Sequence, residues 1–80
     1  MAATAREQIL SAVDSITNGG QRTFAIAEVV AELRRRQTRF AESTIRTHIS
    51  SRMCANSPDH HGTTYADFER VDHGEYRWRR

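Results

Sequence analysis

Residues 41–54 read AESTIRTHISSRMC, and the periodicity of that string sets the fold. With Ile45, Ile49 and Met53 at i, i+4 and i+8, one short helix from Glu42 to Cys54 turns all three inward. At about 100° per residue, Ser43, Thr44, Thr47, Ser50 and Ser51 then fall on the opposite side, with Arg46 on one flank and His48 on the other. An ordinary solvated helix face is filled with long charged side chains, whereas this one is short hydroxyls with no acid after Glu42. Short side chains let a helix backbone sit deep in a major groove. Hydroxyls reach phosphates or bases, and an arginine pairs bidentately with guanine O6 and N7. The string therefore predicts a recognition helix. Ser and Thr also gather at helix starts as caps, which accounts for Ser43 or Thr44 but not for Thr47, Ser50 and Ser51 further along.

Upstream, Gln37 to Ala41 is a short connection in which Phe40 is expected to plug the core. Before it, Ile26, Val29, Val30 and Leu33 repeat at i, i+3, i+4 and i+7 and predict a helix from about Ile26 to Arg36. Ala25 is a poor N-cap for it, and Arg34-Arg35-Arg36 closes it with cations that complement the helix dipole. Two helices joined by so few residues make a helix-turn-helix. Further back, Thr4-Ala5-Arg6-Glu7 has the form of a capping box. The apolar stripe Ile9, Leu10, Val13 and Ile16 follows, and Asn18-Gly19-Gly20 supplies a left-handed stop. Gln21 to Ala25 leaves room only for a stub of strand.

Downstream, Asn56 to Gly62 is a dense run of turn residues. Phe68-Glu69-Arg70-Val71 and Glu75-Tyr76-Arg77-Trp78-Arg79-Arg80 then flank Asp72-His73-Gly74, a hairpin pattern. Tyr76 and Trp78 alternate with Arg77 and Arg79, so one face buries aromatics and the other displays arginines. Helix, strand stub, helix, helix, hairpin is the order of a winged helix-turn-helix domain of the α+β class. The wing arginines would lie beside the DNA backbone or minor groove, or serve as the charged guard of an edge strand.

Eighty residues form one domain, 1–80, with a modest core. No apolar run reaches the about 20 residues of a membrane span, and the N-terminal MAATAREQILSAVDSI lacks the hydrophobic centre of a secretory signal. A cytoplasmic protein is expected, and a lone Cys54 excludes an intrachain disulfide. The net charge of +2 is small, but all twelve basic residues are arginine, whose planar fork suits phosphates and guanine edges.

Ser43-Thr44-Ile45-Arg46-Thr47-His48-Ile49, then Met53-Cys54-Ala55-Asn56 and Pro58, then Glu69-Arg70-Val71 with Gly74-Glu75-Tyr76-Arg77, resemble a small winged helix family. These are the actinobacterial nucleoid-associated proteins that bind GATC-containing DNA, together with related modules attached to restriction-type enzymes. The likeness spans Ile9 to Arg79, and the helix string is its most specific part. The resemblance implies a stand-alone binder of double-stranded DNA in the nucleoid, without catalytic machinery. By that match Thr44, Arg46, Thr47 and Ser50 read base edges. Ser43, Ser51, His73 and Arg77 hold the backbone, with Arg79 beside Arg77 on the wing. A monomer is expected, or two copies on a palindromic site.

Other chemistries fit less well. Cys54, His60 and His61, with His48 or His73 as a fourth ligand, match no paired zinc spacing, so no metal and no cofactor are expected. A chain this short without a glycine-rich phosphate loop leaves little room for a water-excluding catalytic pocket, so no enzyme is expected. The competing reading is a winged helix used for protein contact, or a remnant DNA-targeting domain of a restriction-type system. Interface cores favour aromatics and Met over Ser and Thr, which counts against protein contact.

Overall fold

In the computed structural model, which describes residues 3–55 and 65–79, helix α1 (Ala5–Ile16) begins at the predicted cap. The Thr4 hydroxyl accepts the Glu7 amide and the Glu7 carboxylate accepts the Thr4 amide, which satisfies two of the donors that a helix start leaves over. Ile9 and Val13 are fully buried, with Leu10 and Ile16 packed partly against them. The helix stops where Asn18, Gly19 and Gly20 all take positive φ. Inside that stop sits a buried polar residue, Thr17. Its hydroxyl donates to the Val13 carbonyl at 2.5 Å and accepts the Gly20 amide at 2.9 Å.

Strand β1 (Phe24–Ala25) is the expected stub and runs directly into α2 (Ile26–Arg35). Ala25 has no capping oxygen, and Glu28 compensates by accepting the Ala25 amide at 2.8 Å. That bond, followed by the one from Arg22, holds the Glu28 carboxyl below its ordinary range. Helix α2 buries Val29, Val30 and Leu33. It ends at Arg35, and Gln37 takes a left-handed φ of 60° that redirects the chain. Phe40 then packs, half-buried, against the core as expected.

Residues 42–54 are not one uniform helix. Helix α3 covers Glu42–Thr47, and His48–Arg52 continues it as a wider π-helical turn. The Met53 amide reaches back five residues to the His48 carbonyl at 2.8 Å. Ile45, Ile49 and Met53 all face the core as predicted, but Cys54 has left the helix for a parallel bridge with Phe68. The predicted helix end at Cys54 is therefore corrected to Arg52. Competition from the sheet explains it. Phe68 donates to the Met53 carbonyl and Ala55 to the Phe68 carbonyl, both at 2.8 Å, and this part of the chain cannot serve helix and sheet at once.

Strands β2 (Phe68–Asp72) and β3 (Glu75–Trp78) form the hairpin, and β1 joins the free edge of β3, giving the antiparallel order β1-β3-β2. Gly74, with φ 72°, supplies the left-handed residue of the tip, and the register shifts by a bulge between Arg70 and Asp72. Phe24 meets Phe68 edge-on at 5.0 Å and stacks on Tyr76 at 6.1 Å, which joins the sheet to the helical core. Three helices and a three-stranded antiparallel sheet around one core make a small α+β fold of winged helix type. Among the described residues no helix is long and apolar enough to cross a membrane. The turn-rich stretch 56–62, with His60 and His61, lies outside the described residues.

Candidate nucleic-acid interface

The same periodicity that buries Ile45 and Ile49 leaves Ser43, Arg46 and Thr47 exposed, with Thr44, Ser50 and Ser51 half-buried. A shallow depression along this face is lined by Ser43, Thr44, Thr47, His48 and Arg52. Not all of the hydroxyls are equally available. Ser50 lies in the π-helical turn and already donates its proton to the Arg46 carbonyl at 2.8 Å, which leaves it only lone pairs to offer. His48 Nδ1 lies 2.9 Å from the Thr44 carbonyl, and since a carbonyl only accepts, Nδ1 carries the proton there.

Arg52 was not among the sequence candidates. Thr44, His48 and Arg52 follow at i, i+4 and i+8, so helical spacing alone could have found it. Its exposed guanidinium has no carboxylate partner among the described residues. Arg39, three residues before α3, likewise has none and lies over the Phe40 ring at 4.4 Å.

The other arginines of this region are engaged. Arg46 Nε donates to Glu42 Oε2 at 2.8 Å, and Arg34 Nη2 from the end of α2 donates to Glu42 Oε1 at 3.1 Å. The hydrogen bond from Arg46 is the main cause that holds the Glu42 carboxyl below its ordinary range. Arg35 and Arg36 share Glu32, and Arg36 also reaches Ser11 and Ser15 of α1 at 2.9 and 2.8 Å. The arginine triplet thus ties α2 to α1 and α3 besides complementing a dipole. Even so, residues 34–52 hold six arginines and one acid, and the whole helix-turn-helix, residues 26–52, holds six arginines against Glu28, Glu32 and Glu42, while the rest of the chain holds six arginines and seven acids. Positive charge is concentrated on the helix-turn-helix.

The hairpin is balanced instead. Residues 68–79 carry Arg70, Arg77 and Arg79 against Glu69, Asp72 and Glu75. Arg77 pairs with its cross-strand neighbour Glu69. His73 is exposed at the tip; Arg70 Nη2 lies 3.3 Å from its Nδ1, and the Asp72 carboxylate accepts its amide at 2.7 Å. Arg79 is exposed. The base of the hairpin is fixed to the end of the π-helical turn, because Tyr65 donates to the Arg52 carbonyl at 2.8 Å beside the Cys54–Phe68 bridge. Arg6 of α1 adds a bidentate pair with Asp67, both bonds at 2.9 Å, and lies 4.0 Å over the Tyr65 ring. Arg6, Tyr65 and Asp67 were invisible to sequence reasoning, because no local spacing links residues so far apart.

Of the zinc candidates, Cys54 is buried in the core, His48 opens the π-helical turn and His73 stands at the hairpin tip. No group of three His, Cys, Asp or Glu side chains that could hold a metal ion occurs among the described residues.

A family model described as "Domain of unknown function (DUF7669)" matches residues 4–78. No curated protein and no solved structure matches the chain.

Proposed function

This chain belongs to the DUF7669 family, and we propose that it binds double-stranded DNA and reads a short sequence with α3 in the major groove. The observation that carries the reading is the solvent face of α3. Ser43, Thr44 and Thr47 present short hydroxyls beside Arg46, within a stretch of six arginines and one acid. A helix with this face enters a groove closely and meets a polyanion with little repulsion. Thr44, Arg46 and Thr47 take base edges, and Ser50 joins them as an acceptor. Ser43, Ser51 and Arg52 take phosphates, while His73, Arg77 and Arg79 brace the wing against the backbone or minor groove.

In this reading the site is of GATC type, and the protein is a small nucleoid-associated factor of the actinobacterial kind. It binds as a monomer, or as two copies related by the dyad of the palindrome. It acts by binding alone, without a cofactor or a catalytic step.

Fluorescence anisotropy with a GATC-containing duplex and a scrambled duplex of equal composition, at about 50 mM and about 200 mM salt, tests the proposal. A preference for GATC that survives the higher salt is expected. Equal binding that vanishes with salt would leave a non-specific coater of DNA, and no binding to either would favour protein contact.

A further inference from the structure

Glu42 is the one acid between residues 34 and 52, and it stands in the first turn of the helix proposed to read DNA. An acid placed there opposes phosphate. Its two oxygens are divided between two helices: Oε2 accepts from Arg46 Nε at 2.8 Å and Oε1 accepts from Arg34 Nη2 at 3.1 Å. All three side chains are well exposed, at 38% for Glu42, 49% for Arg46 and 70% for Arg34. Exposed ion pairs of this kind contribute little to folding, so stability is a poor reason for the arrangement.

The atom that Arg46 uses is informative. Bonding through Nε leaves Nη1 and Nη2 without another hydrogen bond among the described residues. Those two nitrogens form the end-on fork that matches guanine O6 and N7. Arg34 grips the same carboxylate from α2, so the guanidinium of Arg46 is referenced to two helices and loses less freedom on pairing. The same carboxylate neutralises Arg46 throughout, so the guanidinium has less charge to spend on a phosphate, while its fork still matches the paired acceptors of guanine.

We infer that Glu42 sets the specificity of this helix: it positions Arg46 by its Nε for end-on reading of guanine, and it disfavours encounters that offer phosphate alone. This role rests on the proposed reading of DNA by α3. Glu42 is a positioning residue, acting through Arg46.

The test is a selection of duplexes from a randomised library by the wild-type protein and by Glu42→Gln, followed by anisotropy on the selected duplex and on the unselected pool. Thermal melts establish that each variant is folded. The wild type is expected to enrich a site containing guanine. Glu42→Gln is expected to bind the pool more tightly, and its ratio of selected to pool affinity falls about tenfold, the value of one bidentate base contact. Glu42→Asp keeps the charge and shortens the reach, so pool affinity stays at the wild-type level while the guanine preference weakens. A wild type that discriminates, with Glu42→Gln retaining the full ratio, would overturn the role of Glu42 and leave the reading of DNA standing. Glu42→Asp with an undiminished guanine preference would overturn the positioning. A wild type that enriches nothing would overturn both.

Discussion

Arg6 and Asp67 meet in a two-pronged ion pair, with Nε to Oδ2 and Nη2 to Oδ1 both at 2.9 Å, and so pin the first helix to the foot of the hairpin. The Asp67 carbonyl also accepts the Arg79 amide at 2.8 Å, so one residue joins α1 to both sides of the wing. The geometry is the fork-to-fork arrangement in which both hydrogen bonds are charge-assisted. Arg6→Ala also removes the stacking on Tyr65. Because Arg6 is 35% exposed, the expected loss of stability is discounted. It is about 1 kcal/mol. For a domain of this size that lowers the melting temperature by about 4–8 °C, which differential scanning calorimetry reads directly. An unchanged melting temperature would contradict the pinning.

Thr17→Val keeps the shape of a buried side chain and removes its hydroxyl. The Gly20 amide then loses its acceptor inside the left-handed stop after α1. A loss of about 1 kcal/mol is expected from urea denaturation, since one hydrogen bond to a half-buried amide is removed.

Acid sensitivity follows from the carboxylates. Arg35, and after it Arg36, hold the Glu32 carboxyl at about 2, below its ordinary value of 4.5. Glu7, Glu28 and Glu42 are lowered as well by their amide and arginine donors. Depressed folded values mean that their stabilisation is complete above the unfolded value and disappears as pH falls through the folded one. Thermal melts are therefore expected to be flat above about pH 5 and to fall progressively toward pH 2. Glu32→Gln should flatten the lowest part of that curve. A melting temperature independent of pH over this range would contradict the assignment.

Arg46→Ala and Arg52→Ala separate two kinds of contact. Loss of Arg46 should cost about 1–3 kcal/mol at the selected site and relax its sequence preference. Loss of Arg52 should weaken all duplexes alike and reduce the slope of log affinity against log salt by about one. Arg77→Ala should also act on all sequences alike, with Glu69 left unpaired beside the phosphates.

Much of this fold is legible locally. The Thr4–Glu7 box, the Asn18-Gly19-Gly20 stop and the spacing of Ile45, Ile49 and Met53 each state their conformation within a few residues, because capping, left-handed φ and burial period are short-range physics. The alternation of Tyr76 and Arg77 placed the hairpin for the same reason. The π-helical turn at His48–Arg52 was not legible, since it is tied to a backbone bridge between Cys54 and Phe68. The partners of the exposed arginines were not legible either. Arg46 and Arg77 are assigned to DNA by their chemistry, yet in the folded chain each first meets a glutamate of its own. The face of α3 followed from period; its electrostatics required the neighbouring helix that brings Arg34 to Glu42.

DNA is proposed to meet this protein on the outer face of α3 and of the π-helical turn that continues it. Titration of the ¹⁵N-labelled protein with a GATC-containing duplex, followed by amide shifts in NMR spectra, maps that contact without any substitution. The predicted result is that the amides of Ser43, Thr44, Arg46, Thr47 and Arg52 move most, with smaller changes at His73 and Arg77, and that a scrambled duplex moves the α3 set less. Shifts confined to α1 or to the hairpin, with α3 unmoved, would contradict it.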